Sequence, residues 1–453
     1  MGTRLGTYIF IIIFSKYIMS ELNSAISPPM DITSYKSISS VKTSRVSIQP
    51  ENRTSLSLTG SNQSLIHFAL PSRPNSLLDG ANSYLTFTYT FEGTTPTASA
   101  DVEISNGTGA SFINSLSTIC GATECEGIQD YNAIACLIDD FQNDSRSSTL
   151  GTILEDKDDE NYKSGLERSV ATGGVGFTQK RRICIPLLSV ICGTTGEKYF
   201  PMGDDLGVRL RLNFEAPDVA LKCTTSAIPT VLGYSLDDIT YEASYLEVEP
   251  SVYKSLESEA GGVFKVSGTG ISSFQTTVGA GATQNTLLIP ARFSSVRNMM
   301  TICRTNASIS AKDGNSTGAR SRDSISSYVY RVGGKNFPNL EVPADNFTSS
   351  EVMVELLKCF HSLHNTAQSV AFKASNWVDS SETTRDGAFA IGIDFEEAGF
   401  SNQIMGGLDT NSMNTFLELK HSSACKATTY NTYVFHDLII EVDSNSGEVM
   451  VSR

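Results

Sequence analysis

From about residue 50 onward the chain reads as a succession of short runs in which apolar and polar positions alternate. In Val208-Arg209-Leu210-Arg211-Leu212-Asn213-Phe214 every second side chain falls on one face, as a strand with one face on a core requires. Tyr84 to Phe91 repeats that period of two, and Leu65 to Leu70 is a third short run rich in apolar residues. Pro, Gly, Asn and Asp punctuate the runs at intervals typical of all-β sandwiches. Two segments switch to the helical period. Ile134, Leu137, Ile138 and Phe141 follow Asp130, a residue able to cap a helix start, and Val352, Met353, Leu356, Leu357 and Phe360 follow Ser349 and Ser350. Residues 20–50 are polar and without period, which predicts an arm or loose first segment.

Several features come twice and in the same order. Ala69-Leu70-Pro71 has a counterpart in Leu288-Ile289-Pro290, and Tyr245-Leu246-Glu247-Val248-Glu249 has one in Ile439-Ile440-Glu441-Val442-Asp443. One predicted helix lies between the members of each set. Tandem duplication accounts for this arrangement. It divides the chain into an N-terminal extension over 1–50, a first sandwich over 51–250 and a second over 251–453. The stretch Ser255 to Gly262 reads as a connector between them.

A length of 453 residues suits two or three domains, and 40% hydrophobic with 18% charged residues is not the composition of a disordered chain. The net charge of −15 argues against a broad nucleic-acid-binding face, which needs Lys and Arg to displace counterions. The one dense basic cluster, Lys180-Arg181-Arg182, reads as a charged turn before the apolar run Ile183 to Leu188. Nine scattered cysteines lack zinc-ligand spacing and read as buried free thiols in a reducing compartment. Seven Asn-x-Ser/Thr sequons match what chance gives in a chain so rich in Asn, Ser and Thr. Near the start, Tyr8 to Phe14 is apolar but too short to span a bilayer. Initiation at Met19 explains it, with a signal peptide or anchor as the alternative, and no stable membrane span is expected.

Catalysis would need convergent acids, bases or nucleophiles. His67 and His436 fall inside strand patterns, on the polar face of a sheet. His361 and His364 end the second helix, where cationic side chains suit the dipole better than they suit a metal. Glu155 to Glu160 lacks the spacing of a calcium loop and reads as a solvated charge run. Trp377, the only tryptophan, is open to three readings: sugar stacking, an intersubunit anchor, or core packing. No catalytic residue, metal site or cofactor is expected, and Trp377, His361 and His364 are the candidate assembly or interface residues.

Three segments resemble the double jelly-roll major capsid proteins of the adenovirus-hexon-like lineage, especially the shorter versions in Polinton-like viruses and virophages. They are Glu124 to Asn132, then Tyr330 to Pro338 with the following helix Glu351 to Phe360, and finally Gly407 to Thr410 with the closing run Tyr433 to Asp443. The likeness spans roughly residues 60 to 445. It implies an all-β fold with a few short helices, built as two tandem eight-stranded antiparallel jelly-roll sandwiches. It also implies a homotrimer of pseudo-sixfold outline tiling an icosahedral shell, with low outer loops because the chain is short. Neighbouring capsomers and a penton or minor capsid protein would be its partners. The virion, assembled in the host cytoplasm or nucleus, would be its location. Two rivals make other predictions: a secreted jelly-roll lectin needs a cleaved N-terminus and paired cysteines, and a glycoside hydrolase needs two convergent carboxylates.

Overall fold

A computed structural model describes residues 41–93, 102–105, 108–141, 181–197, 199–203, 206–223, 232–310, 317–318, 320–345, 350–360, 370–372, 377, 387–395, 406–444 and 446–453. The described strands up to residue 247 are β1 Lys42–Ile48, β2 Leu56–Thr59, β3 Ser64–Leu70, β4 Ser76–Gly93, β5 Val102–Ile104, β6 Ile113–Cys120, β7 Thr123–Ile128, β8 Arg181–Ile185, β9 Phe200–Pro201, β10 Val208–Phe214, β11 Leu221–Cys223 and β12 Leu232–Glu247. Beyond them come β13 Val263–Val278, β14 Gln284–Ile289, β15 Val296–Thr305, β16 Ile325–Val332, β17 Lys335–Pro343, β18 Ala390–Asp394, β19 Thr415–His421, β20 Thr428–Asp443 and β21 Val449–Ser452. The described helices are α1 Tyr131–Asp140, α2 Pro217–Ala220, α3 Pro250–Glu259, α4 Asn306–Ser310 and α5 Ser350–Cys359.

The strands form two pairs of facing antiparallel sheets. In the first half the main paths are β1-β12-β4-β8 and β3-β10-β6-β7; in the second they are β13-β20-β15-β18 and β14-β19-β16-β17. When the eight principal strands of each half are counted in chain order, both halves read 1-8-3-6 and 2-7-4-5. That interleaved order is a jelly roll, and it occurs twice. The paired sequence features occupy the same places in it. Leu70 and Ile289 each end the second strand, β12 and β20 are each the eighth, and α1 and α5 each follow the fifth.

Alternation is what builds these sheets. On β10, Val208, Leu210, Leu212 and Phe214 are fully buried while Arg209 and Arg211 are exposed. The register sets Leu210 against Phe68 and Leu212 against Ile66, so both strands turn their apolar sides the same way. Opposite them Phe87 meets Phe112 and Phe214 edge to face, at 5.8 and 5.9 Å between ring centres. Burying each such side chain contributes about 1.5–3 kcal/mol relative to exposure. In the second half Tyr328 and Tyr330 fill the same layer, and their hydroxyls meet Gly392 O at 3.0 Å and Thr301 Oγ1 at 2.9 Å.

Four local readings of the sequence change. Lys42–Ile48, within the stretch expected to be an arm, pairs with β12 as an edge strand. The connector is helical, because Pro250 at its first turn is preset for a helix and Tyr253 buries against Phe264. Arg181 and Arg182 belong to β8 rather than to a turn before it, and Arg182 Nε donates to Thr86 Oγ1. Asp130 has a left-handed backbone (φ 50°, ψ 46°) and makes no side-chain cap, since its carboxylate is engaged elsewhere.

Candidate functional site

Trp377 is buried at 5% exposure. Its ring stacks on Phe372 at 5.7 Å and leans on Phe389 at 5.4 Å, and its carbonyl accepts from Arg322 Nη2. Its indole is packed inside the subunit, where a sugar has no free face to stack on. His361 and His364 lie outside the described residues. His67 sits half-buried on the outer face of β3, as expected. His436 does not follow the expectation of a polar sheet face. It is buried, its ring stacks on Phe293 at 4.0 Å, and Gly270 leaves the space the ring fills. Burial pushes His436 down to about 4, so it is neutral, with its nitrogens at Ser272 Oγ and Asp437 O.

Among the described residues no group of three or more His, Cys, Asp and Glu is arranged to hold a metal ion. Cys120, Cys125, Cys136, Cys192, Cys303, Cys359 and Cys425 are free and buried, and Cys184 is free and half-buried. Two of the sequon asparagines use their amides inside the fold: Asn52 Nδ2 donates to Leu65 O, and Asn62 Nδ2 donates to Thr59 O. No described helix is long and apolar enough to cross a membrane.

Among the described residues a dense polar construction lies at the seam between the two sandwiches, and α1 is its centre. At one end of the helix, Asp130 accepts from Asn431 Nδ2 at 2.7 Å and pairs with Arg304 Nη2 at 3.5 Å. The Asp130 carbonyl takes the Tyr433 hydroxyl at 2.9 Å. At the other end, Asp140 pairs with Arg320, and its carbonyl accepts from Ala371 N at 2.9 Å. Beyond it Phe141 stacks on Phe360 at 4.7 Å. Arg304 and Arg320 are buried, and each guanidinium meets an acid from the other sandwich. A carboxylate at a helix C-terminus is unfavourable to the dipole, so Asp140 serves the seam rather than the helix.

A second tie runs through residues 187–197. Glu126 on β7 is fully buried and accepts from Val190 N at 3.0 Å, Ile191 N at 3.1 Å and Ser189 Oγ at 3.2 Å. Burial pushes its carboxyl up to about 7, while those donors hold it down. The loop so gathered leaves no room for side chains. A Cβ on Gly193 would lie 1.9 Å from Leu187 O, and one on Gly196 would lie 2.2 Å from Val190 O. It then meets β13, where Glu197 N donates to Ser267 O at 3.1 Å and Thr269 N to Thr195 O at 3.0 Å. Together the helix and the loop fix one sandwich against the other. The sequence reading places Asp130, Phe141 and Phe360 only in their helices, and no local pattern marks the other seam residues as a contact between the sandwiches.

No family model and no curated relative matches this sequence. Solved structures do. The chain is similar to PBCV-1 VP54, as fitted into a reconstruction of the virophage Sputnik, with a TM-score of 0.56 and 9% identity over 91% of this chain and 97% of that one. It is similar to the Faustovirus major capsid protein with a TM-score of 0.56 and 8% identity, over 89% and 90% of the two chains. A quasi-atomic model of the PBCV-1 virus capsid matches with a TM-score of 0.55 and 10% identity, over 91% and 97%. With the strand order present twice and the likeness running across both halves, the chain has the double jelly-roll fold of viral major capsid proteins.

Proposed function

We propose that this chain is a major capsid protein that self-assembles into trimeric, pseudo-hexagonal capsomers tiling an icosahedral virus shell. The observation that carries this reading is the repeated 1-8-3-6 and 2-7-4-5 strand order locked at one polar seam. A subunit made of two similar upright sandwiches turns a threefold ring into a six-sided tile. The unit structure proposed is a first jelly roll over 51–250 and a second over 251–453, preceded by an N-terminal extension. The role is structural rather than enzymatic: the buried charges at the seam hold one another and not a substrate.

Its partners in this reading are two further copies, neighbouring capsomers and a penton or minor capsid protein. The acidic balance of −15 leaves genome neutralisation to a separate basic protein. Its place is the virion, after assembly in the host cytoplasm or nucleus, and His361 and His364 remain candidates for contacts between subunits. Sedimentation velocity of the purified full chain over a wide concentration range tests this. A species of three chains, growing to larger assemblies, is expected; a monomer at every concentration would refute it.

A further inference from the structure

The two sandwiches treat the outer faces of their equivalent sheets differently. On the second, charges are matched within the sheet: Arg331 pairs with Glu418 at 2.9 Å, and Lys420 pairs with Glu341. On the first, Arg209 and Arg211 project from β10, the counterpart of β19, with no ion pair among the described residues. None of their direct cross-strand neighbours is an acid. Ala69 and Ile119 flank Arg209, His67 and Ser117 flank Arg211, and Leu65, 44% exposed, lies one row on. The described acids in these rows lie further off: Glu124 is two strands from Arg209 on β7, and Glu51, whose N–H donates to His67 O, lies beyond the edge of β3. Two exposed guanidiniums with no acid on either adjoining strand, on a chain of net charge −15, make a face suited to an acidic partner.

The same chain carries a surface of the opposite sign. The connector α3 bears Glu257 and the exposed Glu259, and its only basic residue is Lys254. The turn after it abuts Asp443 and the exposed Glu448, through Ser444 N to Gly262 O and Asp443 N to Glu448 O. The connector also starts at the end of the first sandwich where β10 begins. Val208 lies opposite Leu70, Glu247 opposite Ser76, and Met202 bonds both to Arg73 and to Ser76. Rotation about an axis along the strands keeps height constant, so the basic face of one chain can meet the acidic connector of the next. Contact between two different patches is head-to-tail, and a threefold rotation closes it into a ring.

We propose that Arg209 and Arg211 dock against Glu257 and Glu259 of a neighbouring copy of this chain. This rests on the self-assembly reading above and names the surfaces that carry it. The test is sedimentation velocity of full-length variants at low and high salt, with melting curves run alongside to confirm folding. Arg209→Glu with Arg211→Glu is expected to raise the concentration at half-assembly at least about tenfold, as Glu257→Lys with Glu259→Lys should do alone. Combining all four substitutions should bring it back to within about threefold of the unmodified chain. Arg209→Gln with Arg211→Gln serves if the charge reversal impairs folding, and should weaken assembly in the same direction. Unchanged assembly of the reversed variants, or loss without rescue in the fourfold variant, would overturn the proposed contact while leaving self-assembly standing. An unmodified chain that never assembles would overturn both.

Discussion

Arg320 of the second sandwich, its side chain shut off from solvent, donates to the carboxylate of Asp140 at the C-terminal end of α1 in the first, 180 positions away in sequence. The same guanidinium reaches Ala388 O at 3.1 Å and Cys136 Sγ at 3.4 Å. Removing the acid therefore strands a buried cation. Asp140→Ala is expected to cost about 3–5 kcal/mol in urea unfolding, whereas Asp140→Leu combined with Arg320→Met should cost clearly less. Strictly additive losses in that cycle would mean the two residues are not coupled.

Backbone crowding in the 187–197 loop gives a second expectation. Gly193→Ala should destabilise the chain by about 3 kcal/mol or more, because the new methyl would sit on Leu187 O. Gly207→Ala meets nothing within 4 Å and should change stability by no more than about 0.5 kcal/mol. Equal melting temperatures for the two variants would contradict this account of the loop.

Two buried groups in separate sandwiches give opposite pH dependences. Glu126 is raised to about 7 from 4.5, so the stability tied to its protonated form is present below pH 4.5 and lost as pH rises through 7. His436 is lowered to about 4 from 6.5, so the stability tied to its neutral form is present above 6.5 and lost as pH falls toward 4. Each effect is on the order of 3 kcal/mol at most, and between pH 4.5 and 6.5 they oppose. Glu126→Gln removes one of them. Its stability should rise with pH across that window more steeply than that of the unmodified chain, as read from urea midpoints. Parallel curves would count against a buried titrating Glu126.

Trp377 is a built-in reporter, being the only tryptophan. Packed between Phe372 and Phe389, it should emit at the short wavelengths of a buried indole and resist iodide quenching in dilute, unassembled protein. Trp377→Ala should cost about 3–5 kcal/mol through the cavity it leaves. Emission of a solvated indole that shifts only on assembly would instead make it an intersubunit anchor.

Local pattern made much of the fold legible. The apolar run of β3, the alternation in β4 and β10 and the helical stripes of α1 and α5 are dictated by near neighbours, and the structure places each where the sequence reading does, with β4 beginning earlier, at Ser76. The two Pro-ended strands proved to be equivalent strands of two jelly rolls. What the sequence could not disclose depends on partners far along the chain. Asp130 has the composition of a helix cap, yet Arg304 and Asn431 draw its carboxylate away. His436 alternates like a surface residue, yet β20 is covered on both sides, so both of its faces are buried. The connector shows no helical pattern in sequence because its helix buries little besides Tyr253.

Electron microscopy of the purified full chain bears most directly on the central claim. The account predicts six-sided particles with a threefold axis, three chains each contributing two upright sandwiches, or closed shells built from them. Particles the size of one chain at every concentration and salt examined would contradict it.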